Sequence, residues 1–262
     1  MKKTLLALLA LLAAAPAAAA TIRIVAPYTG SITNKYANSA YHLDLKDTAE
    51  MHGVYAQWIN TEKFQANAFA YTAPAVNFSK VKGLHLNADY YFRPAPAGKW
   101  VAGAGLETLG IDMSAGNRIA GLTSFDMDNT VTFWFARAGR YFYYKNGPAD
   151  LSLLPYAGWA RETVTGDIAL NPAGPAPLTR IDIDDRDDHA LAGLNLNATL
   201  WHFIDLQGKW MGRFKDGDRL DEYSLMANFY LNRRWGLSYR YKYMEYGSSS
   251  NGYHLGGVAY CF

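Results

Sequence analysis

Along most of the chain apolar and polar residues alternate with a period of two, the spacing that puts successive side chains on opposite faces of an extended strand. Leu84, Leu86, Ala88, Tyr90 and Phe92 share one face, opposite His85, Asn87 and Asp89. Trp100, Ala102, Ala104, Leu106 and Thr108 repeat the pattern against Gly103, Gly105 and Glu107. The second half is more regular still: Ala192–Leu200, Leu206–Phe214, Tyr223–Leu231 and Leu237–Tyr243 each read as one strand. Val131–Tyr144 and Ser152–Arg161 are further strands, as are Met51–Trp58 and the run from Phe64 to Ala70. Thr21–Tyr28 reads as a short first strand, and the chain closes on Val258, Tyr260 and Phe262, all on one strand face. Residues 29–49, 112–129 and 163–189 are rich in Ser, Asn, Gly, Pro or Asp and are expected to be loops.

The connections separate two all-β readings. Those near residues 60, 95, 147, 203 and 233 are short, while those near 40, 77, 120, 175, 218 and 249 are mostly longer. Ten-residue alternation with short turns on one side and longer loops on the other is the pattern of a transmembrane barrel; a soluble sandwich alternates without that asymmetry. Trp58, Trp100, Trp201 and Trp235 all fall beside the short turns, with Tyr90, Phe92, Phe142, Tyr144 and Phe229. Such a band fits an aromatic girdle at a membrane interface. The prediction is an all-β, antiparallel, up-and-down transmembrane barrel of twelve strands, or ten as the fallback. Twelve requires that Ile22–Tyr28 pair with residues 253–262; pairing of Met51–Trp58 there instead would break the even count.

Composition agrees. Half of the 262 residues are hydrophobic, with 19 Tyr, 12 Phe and 7 Trp, yet no segment past the start is apolar enough for a spanning helix. Met1-Lys2-Lys3, an apolar run from Leu5 to Ala14 and small residues up to Ala20 predict a secretory signal peptide over 1–20, leaving a barrel over 21–262. A net charge of +2 asks for no nucleic-acid partner, and the single Cys261 excludes an internal disulfide and a Cys-based metal site.

Signal peptide, alternating strands, uneven connections and the Val258-x-Tyr260-x-Phe262 ending together resemble a Gram-negative outer-membrane β-barrel protein. That resemblance implies an outer-membrane address, contact with outer-membrane lipid, and a terminal strand that serves as the signal read by the barrel-assembly machinery. It specifies architecture and not activity.

Charges are costly on a lipid-facing wall, so His85, Asp89, Glu107, Lys209, Arg213, Arg240 and Lys242 are expected to line the lumen. They suit either a narrow pore for small polar solutes or a plugged interior in which they neutralise one another, so the expected role is a passive pore or a structural, surface-exposed barrel. No cofactor or metal is expected. An acidic constellation offers an alternative, a rim-located hydrolase. Asp126 and Asp128 end one predicted loop, and Asp187 and His189 end another; a carboxylate pair facing an Asp-x-His can activate water. These four residues resemble the arrangement in omptin outer-membrane proteases, although the surrounding omptin patterns are not evident here and the omptin barrel is usually taken as ten-stranded. The plainer readings are a solvated acidic loop or weak Ca²⁺ binding through oxygen ligands. A lipid-modifying enzyme would need a nucleophile and base, for which only Ser248–Ser250 and His254 stand close.

Overall fold

The computed structural model describes residues 21–38, 43–60, 63–74, 79–95, 98–114, 116, 122–216, 218–246 and 249–262. Residues 1–20, the expected signal segment, lie outside them, as do the tips of several connections. Twelve antiparallel strands close into one barrel: β1 (Thr21–Asn38), β2 (Leu43–Asn60), β3 (Phe64–Ala73), β4 (Ser79–Ala95), β5 (Gly98–Ser114), β6 (Leu122–Asn146), β7 (Ala149–Pro172), β8 (Thr179–Leu200), β9 (Ile204–Lys215), β10 (Asp218–Tyr230), β11 (Trp235–Tyr246) and β12 (Ser249–Cys261). Each strand pairs with its sequence neighbours, and β1 closes the ring on β12, with Val25 opposite Tyr260 and Tyr28 opposite Gly257. The first strand is therefore Thr21–Asn38, and the strand count of twelve holds.

Three expected loops are strand. Residues 29–38 and 43–49 pair with each other as β1 and β2. Residues 122–129 belong to β6, and 163–172 and 179–189 belong to β7 and β8. The physical reason is that a ladder needs only paired backbone groups. Beyond the membrane water surrounds the sheet, so the outward face no longer has to be apolar and the Asp-rich strands stop looking like strands. The uneven spacing read as loop length is thus largely strand length: β6 and β7 have 25 and 24 residues, while β3 has 10.

Burial alternates along each strand. Ile24, Ala26, Tyr28 and Ile32 of β1 are buried inside, as are Phe69 and Tyr71 of β3 and Phe133 and Phe135 of β6. Outside are Leu194 and Leu196 of β8, Leu225 of β10, Leu237 of β11 and Val258 of β12. At the near rim, which carries the chain ends, Trp100, Trp201, Trp235 and Phe262 stand about half exposed, and Trp58 packs edge-on against Phe64 with 4.8 Å between ring centroids. Towards the far rim Trp134 and Trp159 meet edge-on at 4.7 Å. Arg140 lies over Trp100 and Phe142 at the lower band, and Arg161 over Trp134 and Trp159 at the upper, the arrangement of cations on interfacial aromatics. Two prolines interrupt the ladders because neither has an N–H to donate. Pairing of β1 with β12 lapses beside Pro27, and that of β6 with β7 lapses beside Pro155.

Candidate functional site

Inside the barrel, inward-pointing residues from strands far apart in sequence meet. Lys242 on β11 donates to both carboxylate oxygens of Glu107 on β5, each at 2.6 Å. β11 and β5 stand opposite each other in the ring, six steps apart either way round, so this contact crosses the lumen. Glu107 also lies 3.3 Å from His85 Nδ1. Lys242 lies 3.4 Å from Glu222, which accepts a 2.7 Å bond from Lys209. Beside this group Arg137 holds Asp89 through bonds of 2.7, 2.8 and 3.1 Å and donates to Asn87 at 3.1 Å. The Arg137 guanidinium sits 4.6 Å from the Tyr156 ring centroid. Further towards the far rim, Arg213 donates to Glu162 and Lys215 to Asp187.

These groups fill the barrel. Between them the free space is only about 100 Å³, room for a handful of waters. Below them, towards the near rim, a vestibule of about 1180 Å³ opens, lined by Gln57, Gln65, Tyr141, Asn197 and Gln207 among others. Above them the interior is packed with rings: Phe69 stacks on Tyr71 at 5.2 Å and meets Tyr253 at 5.7 Å. Tyr28 reaches Ser238, and Ser238 donates to Asn228.

The structure places the seven expected interior residues, His85, Asp89, Glu107, Lys209, Arg213, Arg240 and Lys242, on the inward face. It joins His85, Glu107, Lys209 and Lys242 in one network through Glu222, leaves Asp89 to Arg137 and gives Arg213 to Glu162. Arg240 stands apart, 4.5 Å over Tyr55 and 4.6 Å over Phe69. Sequence reasoning missed Arg137, Glu162 and Glu222. Glu222 had a signal, since it shares the face of Ser224, Met226 and Asn228. Arg137 had none, because its inward neighbours are Phe133 and Phe135 and its outward neighbours are small alanines, so hydrophobicity does not say which face is lumen.

The acidic constellation does not assemble. Asp126 and Asp128 are exposed on the outward face of β6, and Ser114 donates to Asp126 at 2.6 Å. Asp187 and His189 point inward from β8, where Asp187 is engaged by Lys215 and the buried His189 ring finds no hydrogen-bond partner. The two halves lie on opposite sides of one wall, and strand parity puts them there. Of the serine–histidine grouping, His254 Nδ1 is 2.8 Å from Tyr239 Oη, and Ser248 lies outside the described residues. Among the described residues no three His, Cys, Asp or Glu side chains converge on a metal site.

No family model and no characterised sequence matches this chain. Solved structures do. The translocator domain of the autotransporter NalP from Neisseria meningitidis aligns with a TM-score of 0.56 at 14% identity, over 100% of this chain and 95% of that one. The β domain of the Bordetella autotransporter BrkA aligns with a TM-score of 0.50 at 16% identity, over 93% of this chain and 100% of the other. At such identities the likeness is one of fold. The chain has the fold of an outer-membrane β-barrel, closed here by twelve strands.

Proposed function

We propose that this protein is a surface-exposed barrel of the outer membrane whose lumen is shut to bulk solutes. In this reading the near rim faces the periplasm, and the extended β6–β8 wall stands outside the cell. The terminal Val258, Tyr260 and Phe262 face lipid and serve the barrel-assembly machinery. The observation that carries closure is the Lys242–Glu107 contact between opposite strands. Inside a low-dielectric wall, separating such a pair leaves two uncompensated charges and costs about 3–5 kcal/mol, so thermal motion does not open a wide path there. The barrel then acts through the face it presents and not through what it conducts.

Planar-bilayer recording on the refolded mature chain tests this. The expected trace is a silent membrane, with steady conductance appearing only in the Glu107→Ala/Lys242→Ala double variant. A porin-sized ohmic step from the parent protein would end the closed-barrel reading.

A further inference from the structure

The interior network contains one charge too many. Arg137, Lys209, Lys242 and Arg240 face Asp89, Glu107 and Glu222, four cations against three carboxylates. Each of the first three cations is within ion-pair distance of a carboxylate, and Arg240 is not. It is hydrogen-bonded to the hydroxyls of Tyr253 and Tyr55 and lies near that of Tyr28, all of them neutral groups. Its Nε and Nη1 are shielded from solvent with no hydrogen-bond partner. Ring faces at 4.5 and 4.6 Å hold the guanidinium in place without cancelling its charge. A guanidinium in such a setting is expensive unless an anion joins it.

The surroundings are shaped for one. Arg240, Tyr55, Asn67, Lys242 and Tyr253 all border the free space of about 100 Å³, enough for a short carboxylate. Gln57 sits directly across the ladder from Asn67, is 1% exposed, and has neither its side-chain oxygen nor its nitrogen partnered. Gln57 itself borders the vestibule, so its unpartnered amide lies on the way in. Gln65, Asn197 and Gln207 border both this space and the vestibule below, so an uncharged amide-lined approach leads up from the near rim.

We infer that Arg240 is the seat of a luminal site for a small monocarboxylate, entered from the vestibule. The planar guanidinium fork matches two carboxylate oxygens, and the tyrosine ring faces give the fork a fixed orientation. The ring faces and ion pairs that crowd the guanidinium favour the smallest carboxylates, so formate and acetate are the expected occupants and benzoate is not. The site does not depend on whether the lumen conducts.

The test titrates ¹³C-labelled acetate into the refolded full-length mature barrel in detergent and follows its line width at constant ionic strength. Saturable broadening, competed by formate and not by benzoate, is expected. Arg240→Gln should weaken binding by about tenfold or more, the usual worth of a charge-assisted hydrogen bond, while keeping the heat-dependent gel shift of a folded barrel. If that variant does not fold, Arg240→Lys decides, since it keeps the charge and loses the fork; it too should bind at least about tenfold more weakly. Absence of saturable broadening in the parent, or unchanged affinity in the folded variants, overturns the site. A barrel that conducts in bilayers and still binds acetate through Arg240 loses the closed-lumen reading and keeps this one.

Discussion

One strand, β8, crosses two different environments, and its two halves obey opposite rules. From Ala190 to Leu200 the outward residues include Leu194, Leu196 and Ala198, and the inward ones Asn195 and Asn197. From Thr179 to Asp188 the outward residues are Asp182, Asp184, Arg186 and Asp188, and the inward ones include Ile181 and Ile183. The amphipathicity reverses without a break in the ladder. The lower half is apolar outside because lipid offers no hydrogen bonds; the upper half is polar outside because water does. Ile181 and Ile183 pack with Phe125, Met127 and Ile168 into an apolar cluster on the inner side of the β6–β8 wall. The far wall is thus held like a soluble sheet, and the barrel body like a membrane protein with an ionic interior. The strands that follow the wall in the ring show what is added: β9 to β12 have 12 or 13 residues each, little more than the 9–11 that span the hydrocarbon region.

If the two regions are held by different forces, they should fail separately. The largest effect belongs to the body. Lys242→Ala leaves Glu107 without its cation while Glu222 keeps Lys209, and should lower stability in urea unfolding by about 3–5 kcal/mol. Adding Glu107→Gln, which leaves Glu222 to Lys209, should restore much of the loss, because the cost lies in unpaired charge; no recovery would mean that Lys242 acts by packing alone. The wall comes next. Phe125 is fully buried in its cluster, and Phe125→Ala should cost the wall about 3 kcal/mol. The expected readout is local: faster amide exchange and proteolysis within 163–183, with the heat-dependent gel shift of the barrel unchanged. A global loss of the folded band would show that wall and body unfold as one unit.

The smallest effect is on the wall's outer face, beyond the Trp134–Trp159 band. The Arg161 guanidinium donates to Asp188 at 2.8 and 3.0 Å and holds its carboxyl below the usual Asp range. A depressed carboxyl stabilises the fold above its unfolded pKa and loses that contribution as pH falls through the folded value. Both groups are exposed and screened, so Arg161→Ala should lower the melting temperature only marginally at neutral pH, and even that small gap should close as pH falls below the ordinary Asp value. A clear gap between them at neutral pH would make this pair a structural element of the wall.

The sequence was most legible where lipid disciplines it. Leu84–Phe92, Leu206–Phe214 and Tyr223–Leu231 all fall on strands because every second position there must be apolar. It was least legible in the wall, where Ile181-Asp182-Ile183-Asp184 still alternates with period two but in inverted phase and amid acidic residues. Parity alone separates Asp126 and Asp128 from Asp187 and His189, and parity can be read only once the strand is recognised. The interior charges were half readable. Chain alternation says that Lys242 and Glu107 point inward, but only ring closure, with β11 opposite β5, makes them neighbours. Arg240 could be placed on the inward face, whereas its lack of a carboxylate is a property of how the other three cations pair.

The closure of β1 on β12 also sets an order of events. Val25 and Tyr260 are neighbours in the ring and nearly as far apart along the chain as two residues here can be, so their contact carries the largest loop-closure cost in the molecule. Until β12 is available the sheet is an open ribbon with two unpaired edges, each a template for aggregation. The gap beside Pro27 falls on this same join, which removes ladder hydrogen bonds from the pairing that completes the ring. Assembly is therefore slow and late at its decisive step, and the nascent sheet needs protection along both edges until that step is complete.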